Sequence, residues 1–183
     1  MAAIAEFSLI RRKYRDVFGA SLAPAFASYM HCGEGADSGA ALGYKRAGEE
    51  PLFLEAYLDE PIEALVSRTL GVCVARDRIV EIGNFAADNA LAMVELWGTA
   101  ANDLGAQGEV AVATLTAPLR RMFARIGLPI HVLAPATLDR LSAEPAEWGS
   151  YYDLDPQVCA GRIAEGQHAL TAFLHRRQRV AAA

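Results

Sequence analysis

The sequence predicts one α/β domain, and three observations carry that expectation. Strand-like and helix-periodic runs alternate through the second half of the chain. In the first half a turn-rich GEGADSG separates two short strand-like runs, and 183 residues suffice for one full core with an appended helix. The 53% hydrophobic and 21% charged composition, with mean hydropathy of +0.16, excludes a disordered chain, a collagen-like repeat and a chain made of membrane spans.

The elements follow in order. Leu9, Ile10, Tyr14, Val17 and Phe18 recur at spacings of three and four, which predicts an amphipathic helix over Phe7–Phe18 stopped at Gly19. Ala25–Cys32 and Ala40–Lys45 then read as a hairpin. Pro51–Leu58 and Pro61–Leu70 read as two short helices, each with a first-turn proline and preceding acidic residues, the second ended by Gly71.

RIVEIGNFA, Arg78–Ala86, is the clearest strand, and Asp88 is the expected N-cap of a long helix reaching Leu104. A second strand–helix unit follows: Glu109–Leu115, then a Thr116 cap, Pro118 and the apolar face Leu119, Met122, Phe123, Ile126, stopped at Gly127. Pro129–Leu133 and QVCAGRIA are the remaining strands, with a basic-tipped helix over Gly166–Arg179. The expected division is a domain over 1–163 and a C-terminal helix and tail over 164–183.

Charge and cysteine usage narrow the function classes. A net charge of -5 provides no global positive field for a nucleic-acid backbone. Cys32, Cys73 and Cys159 lack the spacing of a zinc site or a disulfide framework, so reduced thiols, a cytosolic setting and no metal are expected. In MAAIAEFSLI the apolar residues precede the basic ones, the reverse of an export signal. The uncharged stretch Val17–Gly33 contains Pro24 and His31 and is shorter than the roughly 20 apolar residues of a membrane span.

The order of elements resembles the Gcn5-related N-acetyltransferase superfamily. The phrases LGYKRAGEEPLFLEAYLDEPIEALVSRTLG, RDRIVEIGNFA, LRRMFARIGLPIHVLAPA and WGSYYDLDPQVCAGRIAEG resemble, specifically, the thermostable hemolysin family. The resemblance implies a single mixed sheet splayed around an acyl thioester, flanked by helices, with extra helices between the hairpin and the central strand. That arrangement is also similar to acyl-homoserine-lactone synthases and N-acyl amino acid synthases.

From the residues, Glu81 stands out as the general base, a carboxylate amid Ile79, Val80, Ile82 and Phe85. The bland counterpart is an ion pair to Arg76 or Arg78. Asn84 is the second catalytic candidate, although strand alternation places it on the face opposite Glu81. By resemblance, a tyrosine protonates the departing thiolate, and Tyr152 is the candidate. Glu55, Tyr57, Trp148 and Tyr151 are expected around a small amine or amino-acid-like acceptor, with Glu55 binding its cation; core packing is the commoner role of such aromatics.

The superfamily's phosphate cradle maps onto Phe85, Ala86, Ala87, Asn89 and Ala90, but here the turn lacks glycine and a basic lead, and Asp88 adds negative charge. That departure favours an acyl-carrier-protein thioester, with no cofactor tightly bound; coenzyme A held by other groups, or a loss of catalysis, are the other two readings. Arg11, Arg12, Lys13 and Arg15, or Arg120, Arg121 and Arg125, are the basic clusters such a carrier would meet. The rival reading is a non-enzymatic membrane-active or partner-binding protein on the same scaffold, with HALTAFLHRRQR as its lipid-facing helix. Membrane association is the less favoured of the two.

Overall fold

The computed structural model describes residues 2–21, 26, 28–33, 38–142 and 145–181. The expected strand start at Ala25 and the middle of the GEGADSG loop, 34–37, lie outside the described residues. Helix α1 (Ala2–Phe18) precedes a hairpin of β1 (Ser28–Cys32) and β2 (Ala40–Arg46). A 3₁₀ helix (Phe53–Tyr57) and α2 (Ile62–Leu70) lead to β3 (Ile79–Ala87), α3 (Ala90–Gly105), β4 (Val110–Leu115) and α4 (Ala117–Ile126). The chain closes with β5 (His131–Pro135), α5 (Pro145–Trp148), a 3₁₀ helix (Tyr151–Leu154), β6 (Gln157–Arg162) and α6 (Ile163–Ala181).

Among the described residues six strands form one mixed sheet in the order β1-β2-β3-β4-β6-β5, in which only the β3–β4 pairing is parallel. That parallel ladder joins Ile79, Val80 and Glu81 to Val110, Ala111 and Val112 and goes no further. Beyond Glu81 the two central strands diverge, leaving a gap in the middle of the sheet. Each face has its own cores: α3, α4 and α6 cover one around Val80, Leu96, Trp97, Leu104 and Leu170. On the other face, α1 packs Leu9, Ile10 and Tyr14 on Ala41 and Ala86, and α2 packs Ile62 and Val66 on Ile79, Val112 and Val158.

Several sequence expectations shift. The first of the two short helices is a single 3₁₀ turn, because the Phe53 and Leu54 N–H groups donate to the Glu81 carboxylate and Glu55 ties Leu52 to Ile62. Asn89, not Asp88, caps α3: its side chain accepts from Ala92 N–H at 3.0 Å. The last helix begins at Ile163, immediately after β6, rather than at Gly166. Gly71 and Gly127 do end their helices, at φ values of 68° and 84° that a side chain would strain.

The largest correction concerns β3. Gly43 pairs with Gly83 but Ala41 pairs with Ala86, so two steps along β2 match three along β3. The extra residue is a β-bulge, with Asn84 in the left-handed region at φ 51°. Simple alternation places Asn84 opposite Glu81; the bulge returns it to the Glu81 face, where its amide donates to the Tyr29 hydroxyl at 3.3 Å.

Candidate functional site

The sheet gap opens onto a narrow cleft of about 40 Å3 between the α1 and α2 cores, lined by Glu81, Gly83, Asn84, Tyr14, Phe26, Phe53, Tyr57, Thr114, Trp148 and Tyr151. On the opposite face lies an apolar cavity of about 100 Å3 walled by Trp97, Leu104, Leu115, Phe123, Ile130 and Cys159. Ile82 and Phe85 line both spaces, so cleft and cavity lie against the same stretch of β3.

Glu81 is 2% exposed. Its Oε2 accepts from Phe53 N–H at 2.7 Å and its Oε1 from Leu54 N–H at 3.0 Å. Burial raises the carboxyl pKa to about 7 against the opposing pull of the two N–H groups and Lys45. The ion pair to Arg76 or Arg78 is absent: Arg76 is held by Glu55 and Glu63, and Arg78 by Glu109. Glu81 is therefore a desolvated carboxyl group set into a cleft, which makes it the candidate base.

Phe26 and Thr114 were not legible as site residues. A Cβ on Gly83 would come within 2.5 Å of the Phe26 ring and one on Gly43 within 2.7 Å, so this pair of facing glycines makes the seat on which the ring lies. The Lys45 amine stands 5.6 Å from the same ring centroid.

The expected acceptor residues divide. Trp148, Tyr151 and Tyr57 reach the cleft, and Trp148 lies 5.4 Å from Tyr151 and 5.6 Å from Tyr152, centroid to centroid. Tyr152 sits behind Tyr57, their hydroxyls 2.6 Å apart, so the phenol beside Glu81 is Tyr57. Burial, then the Tyr152 hydroxyl, holds the Tyr57 proton on well above the ordinary phenol range. Glu55 does not face the cleft. Both its oxygens bond Arg76, at 2.6 and 2.7 Å, and they also accept from Leu52 and Ile62 N–H, which brings its pKa down to about 2. These bonds tie Leu52, Ile62 and Arg76 together and so brace the insert.

At the start of α3, the Asp88 carboxylate lies 2.9 Å from the Lys13 amine and 3.5 Å from Arg12, and accepts from Gly39 N–H. The negative charge expected to oppose a phosphate is thus matched by two cations drawn from the basic cluster of α1. The later cluster is likewise depleted, because Arg120 donates to the Asp155 carboxylate at 2.5 Å and to the Leu115 and Asp155 carbonyls. Phe85 turns to Trp97 and Ala86 is buried against α1, so of the expected cradle only the turn through Asn89 and Ala90 meets the helix end.

Residues 2–167 match the family described as thermostable hemolysin. The chain belongs to the thermostable hemolysin family. No curated protein sequence matches this family member. Solved structures similar to it include BjaI, a coenzyme A-dependent acyl-homoserine lactone synthase with SAM and isopentyl-CoA, at TM-score 0.63 and 14% identity, covering 96% of this chain and 81% of that one. The AHL synthase LasI follows at 0.60 and 14%, covering 91% and 86%. FeeM, an N-acyl amino acid synthase from uncultured soil microbes, is similar at 0.59 and 12%, covering 91% and 94%. The thermostable hemolysin chain thus has the splayed acyltransferase-like fold. Among the described residues no helix is long and apolar enough to cross a membrane.

Proposed function

We propose that this protein transfers an acyl group from a carrier-protein or coenzyme A thioester to a small amine or amino-acid-like acceptor. The observation that carries the reading is Glu81, a buried carboxylate with its pKa raised to about 7, in a cleft at the point where the sheet parts, with an apolar cavity against the other face of the same strand. The acyl chain occupies the cavity, and the diverging edges of β3 and β4 pair with the amides of the pantetheine arm. Glu81 removes the proton from the acceptor amine, whose nitrogen attacks the carbonyl carbon. The C–S bond breaks, and Tyr57, its hydroxyl bonded to that of Tyr152, gives a proton to the sulfur and recovers one from the protonated Glu81. The products are an amide and a free thiol. The named synthases of similar fold support the same chemistry.

The membrane-active alternative asks α6 for an apolar face turned outward. Leu170 is buried, and Phe173 and Leu174 pack against the core around Trp97. The test is thiol release from coenzyme A and carrier-protein thioesters of short and long chain, with and without pooled amines. Amine-dependent release from wild type, reduced ~10²-fold in Glu81→Gln, is expected. Liposome leakage without any thiol release would overturn the reading.

A further inference from the structure

The inner face of β4 carries Val110, Val112 and Thr114 in one row. The two valines are fully buried against the α2 core, and Val158 of β6, level with Thr114, is buried as well. Threonine is the isostere of valine, so packing alone gives no reason for the hydroxyl. Thr114 Oγ1 is shut off from water and has no hydrogen-bond partner among the described residues. Buried polar groups are nearly always paired, and an orphan of this kind marks a partner missing from the picture.

Its position says which partner. Glu81 stands level with Val112 in the last rung of the β3–β4 ladder. Thr114 and Gly83 are each two residues further on, on the Glu81 face, and both line the cleft where the strands have parted. A thioester with its chain in the apolar cavity and its carbonyl carbon open to an amine on the Glu81 side holds that carbonyl in this gap. Gly83 has no side chain to offer there.

We propose that the Thr114 hydroxyl donates a hydrogen bond to the carbonyl oxygen of the bound acyl thioester and to the oxyanion formed when the amine attacks. The inference rests on the acyltransferase reading and adds a contact with the reacting atoms. Negative charge grows on that oxygen as the C–N bond forms and leaves it as the C–S bond breaks, so the donor acts most strongly in the transition state.

The decisive experiment compares two phosphopantetheine analogues of equal chain length: a ketone in which CH2 replaces the sulfur, and a plain S-alkyl thioether without the carbonyl. Both donor classes share the phosphopantetheine arm. Calorimetry on wild type is expected to show about three- to tenfold tighter binding of the ketone. Thr114→Val should bind the two alike and Thr114→Ser should keep the preference. Since the hydroxyl has no partner among the described residues, Thr114→Val should match or exceed wild type in Tm while its kcat falls about 10²-fold. A valine variant that keeps the ketone preference overturns the proposal and leaves the acyltransferase reading standing. Failure of wild type to bind either analogue overturns both.

Discussion

Glu81 Oε2 accepts the main-chain N–H of Phe53 at 2.7 Å, and this bond fastens the insert between β2 and α2 to the central strand at the point where the sheet parts. The carboxylate is thereby oriented by backbone, which leaves its basicity to be set by burial.

That geometry gives a pH signature. The Glu81 carboxyl titrates near 7 in the folded protein against 4.5 in an exposed chain, so between these values the folded state binds the extra proton. Stability therefore falls as pH rises through this window and levels off above it, by at most about 3 kcal/mol. Urea unfolding at the two ends of the window should show the slope in wild type and not in Glu81→Gln. Activity runs the opposite way, because only the ionised base accepts the amine proton: kcat/KM should climb to a plateau above about pH 7. A profile flat from pH 5 to 8 would remove Glu81 from proton transfer.

The two tyrosines make a second pair of expectations. Tyr57 faces the cleft and Tyr152 stands behind it with hydroxyls 2.6 Å apart. Tyr57→Phe removes the proton donor and should slow turnover by about 10²-fold. Tyr152→Phe removes only the neighbouring hydroxyl, leaves the donor in place and should cost less, about three- to tenfold. Stopped-flow measurement of thiol release orders the two variants, and the reverse order would assign the proton donation to Tyr152.

A third expectation separates structure from recognition. Arg76 bridges Glu55 and Glu63 and also donates to the Ala47 carbonyl, all in partly exposed positions. Arg76→Met leaves two carboxylates unmatched and should cost about 1–3 kcal/mol in urea unfolding. Glu55→Gln should likewise lower stability while leaving the acceptor KM within a factor of about two. A large rise in that KM at unchanged stability would return Glu55 to the role of an acceptor-binding group.

What was legible in the sequence is local. Glu81 announced itself as a charge inside an apolar strand, and the helix stops at Gly71 and Gly127 followed from backbone preference. What was not legible depends on pairing between distant segments. The bulge at Asn84 exists only because β2 supplies two residues where β3 supplies three, and no alternation rule applied to β3 alone finds it. Thr114 reaches the cleft only because the β3–β4 ladder ends at Val112. Asp88 read as a repulsive charge because Lys13, far away in sequence, could not be placed beside it. Phe26 left one trace, the two glycines that make its seat, but their pairing across β2 and β3 had first to be known.

The last expectation concerns chain length. The apolar cavity beneath the gap, about 100 Å3, is small for a long acyl chain. The Trp97 ring lies against Phe123 with centroids 4.2 Å apart and meets Phe85 edge-on at 6.0 Å, so indole occupies space that a longer chain would need. Short or medium acyl donors should therefore be preferred by wild type. Trp97→Leu frees volume at a stability cost of about 2–4 kcal/mol, since a buried aromatic is traded for a smaller side chain. The Nε1–H of Trp97 has no hydrogen-bond partner among the described residues, so no polar contact with them is lost in the exchange. Each added methylene that fits contributes about 0.8 kcal/mol, roughly a fourfold gain in affinity. Competition between donors differing by two to four carbons should shift toward the longer one in the variant. An unchanged preference would place the chain's end elsewhere than against Trp97.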